Sequence, residues 1–171
     1  NLSAAESRVF SSEITWMDGY LHLPSNTRLT LKTAAEGQQS THGAVFLDRD
    51  GVLVEDVHFL RQVSQLRVLP GVPDGLLALQ SHFYLVVVTN QSGIARGLFT
   101  EEELFSIHSA LVRQLSNEGI VVDALYYCPH LPKAVVKAYS QNCECRKPRP
   151  GMLFRAKDQW GIDLSKSHMI G

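Results

Sequence analysis

Two aspartates one residue apart, Asp48 and Asp50, close the apolar run Ala44-Val45-Phe46-Leu47 and are followed by Gly51. Alternation along an extended run puts residues i and i+2 on the same side, so both carboxyl groups are expected to face one site. A carboxylate can attack a phosphoryl group to give an aspartyl-phosphate, and a second carboxyl two residues on can protonate the leaving oxygen and then activate water. Two further stretches carry what such a reaction needs. Thr89 and Asn90 offer a hydroxyl and an amide, and Arg146 and Lys147 offer cations; these groups can hold phosphoryl oxygens whose charge must be stabilised in the transition state. Magnesium would bridge carboxylate and phosphate, since both are hard oxygen ligands. Taken singly each feature is ordinary: Asp-x-Asp-Gly is a polar turn, Thr-Asn ends many strands, and a lone lysine is a solvated charge. Their convergence is the signal.

A second group of residues has metal-ligand spacing. All three cysteines fall in Cys128-Pro129-His130 and Cys143-Glu144-Cys145, with twelve residues between the two pairs. An odd number of clustered cysteines suits metal binding better than a disulfide framework. Three thiolates and one imidazole make a closed tetrahedral zinc site with no open position, which implies a structural metal held by Cys128, His130, Cys143 and Cys145. His58, His82, His108 and His168 lack such pairing and read as ordinary core or surface residues.

These groups need strands to present them. Val45 to Leu47 reads as a first strand, Val72 to His82 as a short helix after Pro70-Gly71, and the valine-rich Tyr84 to Val88 as a buried second strand. Thr100 and Glu103 form a capping-box pattern ahead of Leu104, Ile107, Leu111, Val112 and Leu115 at helical spacing. Asn117-Glu118-Gly119 ends that helix, Ile120 to Tyr127 supplies a third strand, Pro150 opens a helix to about Trp160, and His168 to Ile170 starts a fourth strand. Strand and helix in alternation predict a three-layer parallel α/β sheet, whose ligand crevice lies beyond the carboxyl ends of its strands.

Ahead of this pattern, residues 12 to 32 hold two candidate strands around Asp18-Gly19, with Ile14, Trp16, Leu21 and Leu23 as apolar positions and Pro24-Ser25-Asn26 as a break. Residues 33 to 43 are small and polar and read as a linker. Residues 1–43 are therefore expected to be an N-terminal extension or the end of a preceding, fused domain, and residues 44–171 the catalytic unit.

With 171 residues, 44% hydrophobic content and a formal charge of -1, the chain reads as one soluble globular domain. Its apolar runs fall far short of the roughly 20 residues needed to span a bilayer, and no signal segment opens it, so a cytoplasmic address and no membrane partner are expected. The near-neutral balance argues against nucleic-acid binding; only Arg146, Lys147 and Arg149 cluster. The chain starts with Asn1 and stops at Gly171 directly after an apolar stretch, and reads as a fragment.

Asp-Arg-Asp-Gly at 48 to 51, Thr-Asn-Gln-Ser-Gly-Ile-Ala-Arg-Gly at 89 to 97 and Cys-Glu-Cys-Arg-Lys-Pro-Arg-Pro-Gly-Met at 143 to 152 resemble motifs of the haloacid dehalogenase (HAD) superfamily. Within it they resemble the D,D-heptose 1,7-bisphosphate phosphatases and their histidinol-phosphatase relatives. The resemblance runs from about residue 44 to 171 and implies a Rossmann-like HAD sheet. It implies that Asp48 is the nucleophile, Asp50 the general acid/base, Thr89 a phosphoryl-binding hydroxyl and Lys147 the phosphate-stabilising lysine. It further implies that magnesium is held by the Asp48 side chain and the Asp50 backbone carbonyl. Asn90, Gln91, Ser92 and Arg146 fall where the heptose phosphatases contact substrate. Asp56 fits a further substrate loop, while Val57-His58-Phe59 departs from the His-Gly-Tyr of that loop. The same resemblance implies that the zinc loop holds Arg146 and Lys147 over the phosphate pocket.

The superfamily carries a fourth, acidic motif at the end of the fourth strand, and the chain stops before it. The expectation is that the natural protein is a phosphatase and that this chain, incomplete at its C-terminal side, is poorly active. The expected reaction is hydrolysis of a phosphomonoester on a small metabolite, above all the 7-phosphate of a heptose bisphosphate on the route to a nucleotide-activated heptose. Histidinol-phosphate hydrolysis is the alternative within the same chemistry, and a non-catalytic zinc-stapled module or inactive fragment the alternative of another class.

Overall fold

A computed structural model of the chain describes residues 15–17, 20–22 and 42–171. Its elements are β1 (Thr15–Met17), β2 (Tyr20–His22), β3 (Ala44–Leu47), α1 (Val72–Leu79), β4 (Tyr84–Asn90), α2 (Glu101–Asn117), β5 (Ala124–Cys128), α3 (Gly151–Trp160) and β6 (His168–Ile170). The strands form one sheet in the order β1-β2-β5-β4-β3-β6. From β5 through β4 and β3 to β6 every pairing is parallel, as strand-helix alternation requires. On the other side β2 runs antiparallel to β5 and β1 antiparallel to β2, with Met17 opposite Tyr20. The two N-terminal strands expected from the sequence thus pair with each other and lengthen the sheet. The turn residues Asp18 and Gly19, the positions Ile14 and Leu23, the break at 24–26 and the stretch 33–41 lie outside the described residues.

Each central strand is buried on both faces, so two cores form. On one face Val45, Leu47, Leu85, Val87 and Leu125 pack with Ile107, Leu111 and Leu115 of α2 and Leu76 of α1. On the other, Phe46, Tyr84, Val86, Val88 and Tyr126 pack with Met152 and Ala156 of α3. This is the expected three-layer arrangement. The capping box is present: Thr100 Oγ1 accepts from Glu103 N–H at 3.2 Å, and Glu103 Oε2 accepts from Thr100 N–H at 2.7 Å, satisfying two amides that the first turn of α2 would otherwise leave open.

The third strand differs from the sequence reading, beginning at Ala124 rather than Ile120. Asp123 explains the late start. Its backbone N–H donates to the Leu85 carbonyl at 2.8 Å, while its side-chain Oδ2 accepts from Leu85 N–H at 2.7 Å. A carboxylate takes the place of the next ladder carbonyl. Ile120 and Val122 are buried nonetheless, so alternation reported burial correctly in a segment that is not a strand. Helix α1 is also shorter than expected, ending at Leu79 with Gln80 as its cap. No helix among the described residues is long and apolar enough to cross a membrane.

Candidate functional site

β3 ends at Leu47, and the chain leaves the sheet through Asp48 while its backbone N–H still donates to the Ile170 carbonyl of β6 at 2.9 Å. The carbonyl of Arg49 then accepts from the N–H groups of Val52, Leu53 and Val54, and Gly51 N–H donates to the Val54 carbonyl. Gly51 has φ +77, a left-handed conformation that a residue without a Cβ adopts freely. This tight turn fixes both aspartates at the carboxyl end of the sheet, beside the ends of β4 and β5.

Lys147 comes from the segment between β5 and α3. Its Nζ lies 2.6 Å from Asp48 Oδ2 and 3.0 Å from the Val88 carbonyl. Its backbone is held by Asn90, whose Oδ1 accepts from Lys147 N–H at 3.0 Å and whose Nδ2 donates to the Lys147 carbonyl at 3.2 Å. The other oxygen of Asp48 accepts from Arg49 N–H at 2.8 Å. Asp48 keeps 28% and Lys147 17% of its side-chain surface exposed, so the pair faces a crevice open to solvent.

Asp50 is held differently. Arg49 Nη2 is 2.7 Å from both of its carboxyl oxygens and Arg49 Nε is 3.0 Å from Oδ1. Gln91 Nε2 donates to Asp50 Oδ2 at 3.0 Å and to Thr89 Oγ1 at 2.8 Å. Thr89, Gln91 and Arg49 are all buried. The sequence reading did not single out Arg49, and it read His108 as an ordinary core or surface residue. His108 is buried on α2 with Nε2 3.2 Å from Arg49 Nη1. Burial and the neighbouring Arg49 cation push its pKa well below the usual histidine value. A signal for His108 was present in the sequence, since it lies on the same helical face as Leu104, Ile107, Leu111 and Leu115 and is the polar member of that apolar stripe.

Asp48, Asp50, Thr89, Asn90, Gln91 and Lys147 are thus joined through shared contacts. Gln91 points its amide into the Asp50 and Thr89 network, Ser92 is half-buried, and Arg146 Nη1 donates to the His130 carbonyl at 3.2 Å. Asp56 stands on the exposed loop after the turn, with Oδ1 accepting from His58 N–H at 2.8 Å and its Cβ 3.9 Å from where a Cβ on Gly51 would sit. In that loop His58 has φ +69. It takes a left-handed conformation at the position where the His-Gly-Tyr pattern carries glycine. Phe59 meets the His58 ring edge-on at 4.6 Å, and Arg96 lies 6.0 Å over its ring centroid.

Cys128, His130, Cys143 and Cys145 come together at the end of β5, with ligand atoms all within 4.8 Å of one another, a group that could hold a metal ion. The Sγ atoms of Cys128 and Cys143 are 3.5 Å apart, and Cys145 Sγ is 3.2 Å from Cys128, 3.3 Å from Cys143 and 3.3 Å from His130 Nδ1. The Cys145 thiol is pushed well up in pKa, first by its hydrogen bond with Cys128 and then by burial, while burial lowers His130 against a weaker pull from Glu101. A neutral imidazole is the form that ligates. The loop is seated on α3: Gly151 N–H donates to the Glu144 carbonyl at 3.0 Å, and a Cβ on Gly151 would lie 2.4 Å from that oxygen.

Solved structures similar to this chain include HAD-like phosphatases. One from Mesorhizobium loti, described as HAD-like, aligns with a TM-score of 0.72 at 32% identity, over 77% of this chain and 63% of its own. The D,D-heptose 1,7-bisphosphate phosphatase of B. bronchiseptica, solved with magnesium and phosphate, aligns with a TM-score of 0.66 at 37% identity, over 75% of this chain and 69% of its own. No family model matches the chain. Among curated proteins, D-glycero-beta-D-manno-heptose-1,7-bisphosphate 7-phosphatases of Yersinia pestis and Escherichia coli K12 are each 43% identical over 129 residues, which is 75% of this chain and 69% and 68% of theirs. The chain belongs to this family of HAD-like phosphatases. Its relatives are phosphoric monoester hydrolases by name.

Proposed function

We propose that the chain carries the phosphomonoesterase site of a D-glycero-D-manno-heptose 1,7-bisphosphate 7-phosphatase, working through an aspartyl-phosphate on Asp48. The observation that carries this reading is Lys147 Nζ 2.6 Å from Asp48 Oδ2. The lysine neutralises the nucleophile's surroundings and stands where phosphoryl oxygens would gather around Asp48. Asp50, in the same turn, serves as acid and then base. Thr89 lends its hydroxyl to the phosphoryl group, while Ser92, Arg146 and Asp56 line the substrate side, and Asn90 and Gln91, expected there too, act by holding the Lys147 backbone and the Asp50 carboxyl. The names of the relatives support the heptose substrate and do not favour histidinol phosphate.

Magnesium fits the residues present. Asp48 offers an accessible carboxylate, and the Asp50 carbonyl takes part in none of the backbone bonds of the Arg49–Val54 turn, leaving a second hard oxygen donor. The ion would supply charge neutralisation at the phosphoryl oxygens. Zinc fits the three-thiol, one-imidazole set, where a cation at the centre would favour the thiolates.

Phosphate release from heptose 1,7-bisphosphate and from histidinol phosphate by the natural protein, with magnesium, tests the reading. Turnover of the heptose ester that is lost in Asp48→Asn is the expected result. Preference for histidinol phosphate would reassign the substrate, and silence on both would overturn the reading.

A further inference from the structure

Arg49 stands between the two aspartates and is 1% exposed. A guanidinium keeps its charge in proteins and has donors only, so an interior arginine must be surrounded by acceptors. Asp50 takes Nε and Nη2, Gln91 Oε1 accepts from Nη2 at 3.1 Å, and His108 Nε2 lies 3.2 Å from Nη1. Facing a group that cannot accept, His108 Nε2 is the acceptor, which puts the ring proton on Nδ1. Gln91 closes the circuit, accepting from Arg49 through Oε1 and donating to Asp50 Oδ2 through Nε2. Side chains from just beyond β4 and from α2 therefore meet on the Arg49 guanidinium, and Arg49 and Gln91 together set the orientation of the Asp50 carboxyl from behind.

We propose that Arg49, held by His108 and Gln91, is a positioning residue for Asp50. This rests on the phosphatase reading, in which Asp50 is the acid and base. In the first step a carboxylate oxygen of Asp48 bonds to phosphorus, the bond from phosphorus to the leaving oxygen breaks, and that oxygen takes a proton from Asp50. In the second, Asp50 takes a proton from water as the water oxygen bonds to phosphorus, and the electron pair of the breaking bond returns to Asp48. Both transfers need the Asp50 carboxyl in line with atoms it does not hold covalently, and a misplacement of about 1 Å costs on the order of 100-fold in such steps. The Arg49 guanidinium bonds to Asp50, Gln91 and His108 and reaches the reaction only through Asp50.

The test compares Arg49→Lys, His108→Leu and His108→Gln, made in the natural protein, with that protein as parent, magnesium and zinc supplied, on heptose 1,7-bisphosphate and on p-nitrophenyl phosphate. The quantity read is kcat/KM, which reports steps through departure of the leaving group. A sugar alkoxide needs the proton; p-nitrophenolate leaves without one. Lysine keeps the charge opposite Asp50 but lacks the planar fork that reaches both oxygens and His108. Arg49→Lys is therefore expected to lose about 100-fold on the heptose ester and under about threefold on p-nitrophenyl phosphate. His108→Leu should show the same asymmetry, about tenfold, and His108→Gln, whose Oε1 can again accept from Arg49, should recover most of it. Equal losses on both substrates, or none, in folded Arg49→Lys overturn the inference even if His108→Leu fails to fold. A parent protein active on the heptose ester and silenced by Asp48→Asn keeps the phosphatase reading whatever the Arg49 variants do. A parent inactive on both substrates overturns reading and inference together.

Discussion

Asp50 has two roles that pull in different directions when it is replaced. It is the proposed acid and base, and it is also the counter-charge of a buried guanidinium. Removing one partner of a buried pair leaves the other uncompensated, so Asp50→Asn should abolish turnover and also lower stability by about 2–3 kcal/mol. The figure is kept to the low end because Asp50 itself is 28% exposed. Asp48→Asn should abolish turnover with a smaller loss, since Lys147 is less buried than Arg49 and retains the Val88 carbonyl. Denaturant titration of the two variants side by side checks this. His108 makes a separate prediction. Its folded-state pKa lies well below 6.5, so below pH 6.5 the unfolded chain binds a proton that the folded chain refuses. Stability is therefore full above that pH and is lost as pH falls, with a slope from this residue on the order of 1 kcal/mol per pH unit. The slope between pH 6.5 and 5 should be shallower in His108→Gln than in the parent. Asp48, Lys147 and the metal-ligand set were legible in the sequence because their types and spacing are rare together. Arg49 was not, because an arginine beside two aspartates is ordinarily solvated, and only the turn geometry turns it inward.

At the scale of elements, the sequence pattern located every β-strand and α-helix from residue 44 onward but misplaced some of their ends. The Thr100 and Glu103 box marked the start of α2 correctly, because capping is a local interaction between residues three apart. The start of β5 was misread, because Asp123 bonds to Leu85, 38 residues away, and no local rule reports that. The cysteine loop depends instead on a close backbone contact nearby in sequence, the approach of Gly151 to the Glu144 carbonyl. Gly151→Ala should force a methyl group against that carbonyl and shift either α3 or the loop. The expected outcome is weaker zinc retention in a chelator competition and a raised KM for the phosphate ester, because Arg146 and Lys147 directly follow the last cysteine. Normal zinc retention in Gly151→Ala would show that the loop can yield without moving its ligands.

For the molecule as a whole, the alternating strands and helices announced one sheet with a core on each face, and that is what the structure contains. The place of β1 and β2 at the β5 edge was not legible, because a pair of short strands carries no sequence mark of its partner. The two cores differ in what closes them. The face under α2 is closed by leucine, isoleucine and valine, with Phe83, Phe105 and Ala110 packed against them, whereas the face under α3 also packs against Cys143 and Cys145. Stripping zinc should therefore divide the molecule in time. Amide hydrogens of α3 and of residues 128–145 are expected to exchange sooner, while those of β3, β4 and α2 keep their protection, and uniform acceleration across both groups would contradict this. Lys147 belongs to the half that opens and Asp48 to the half that does not. The two groups that meet on one phosphate in the proposed reaction would thus ride on parts of the protein with different lifetimes, and a zinc held by the four ligands would keep their clocks together.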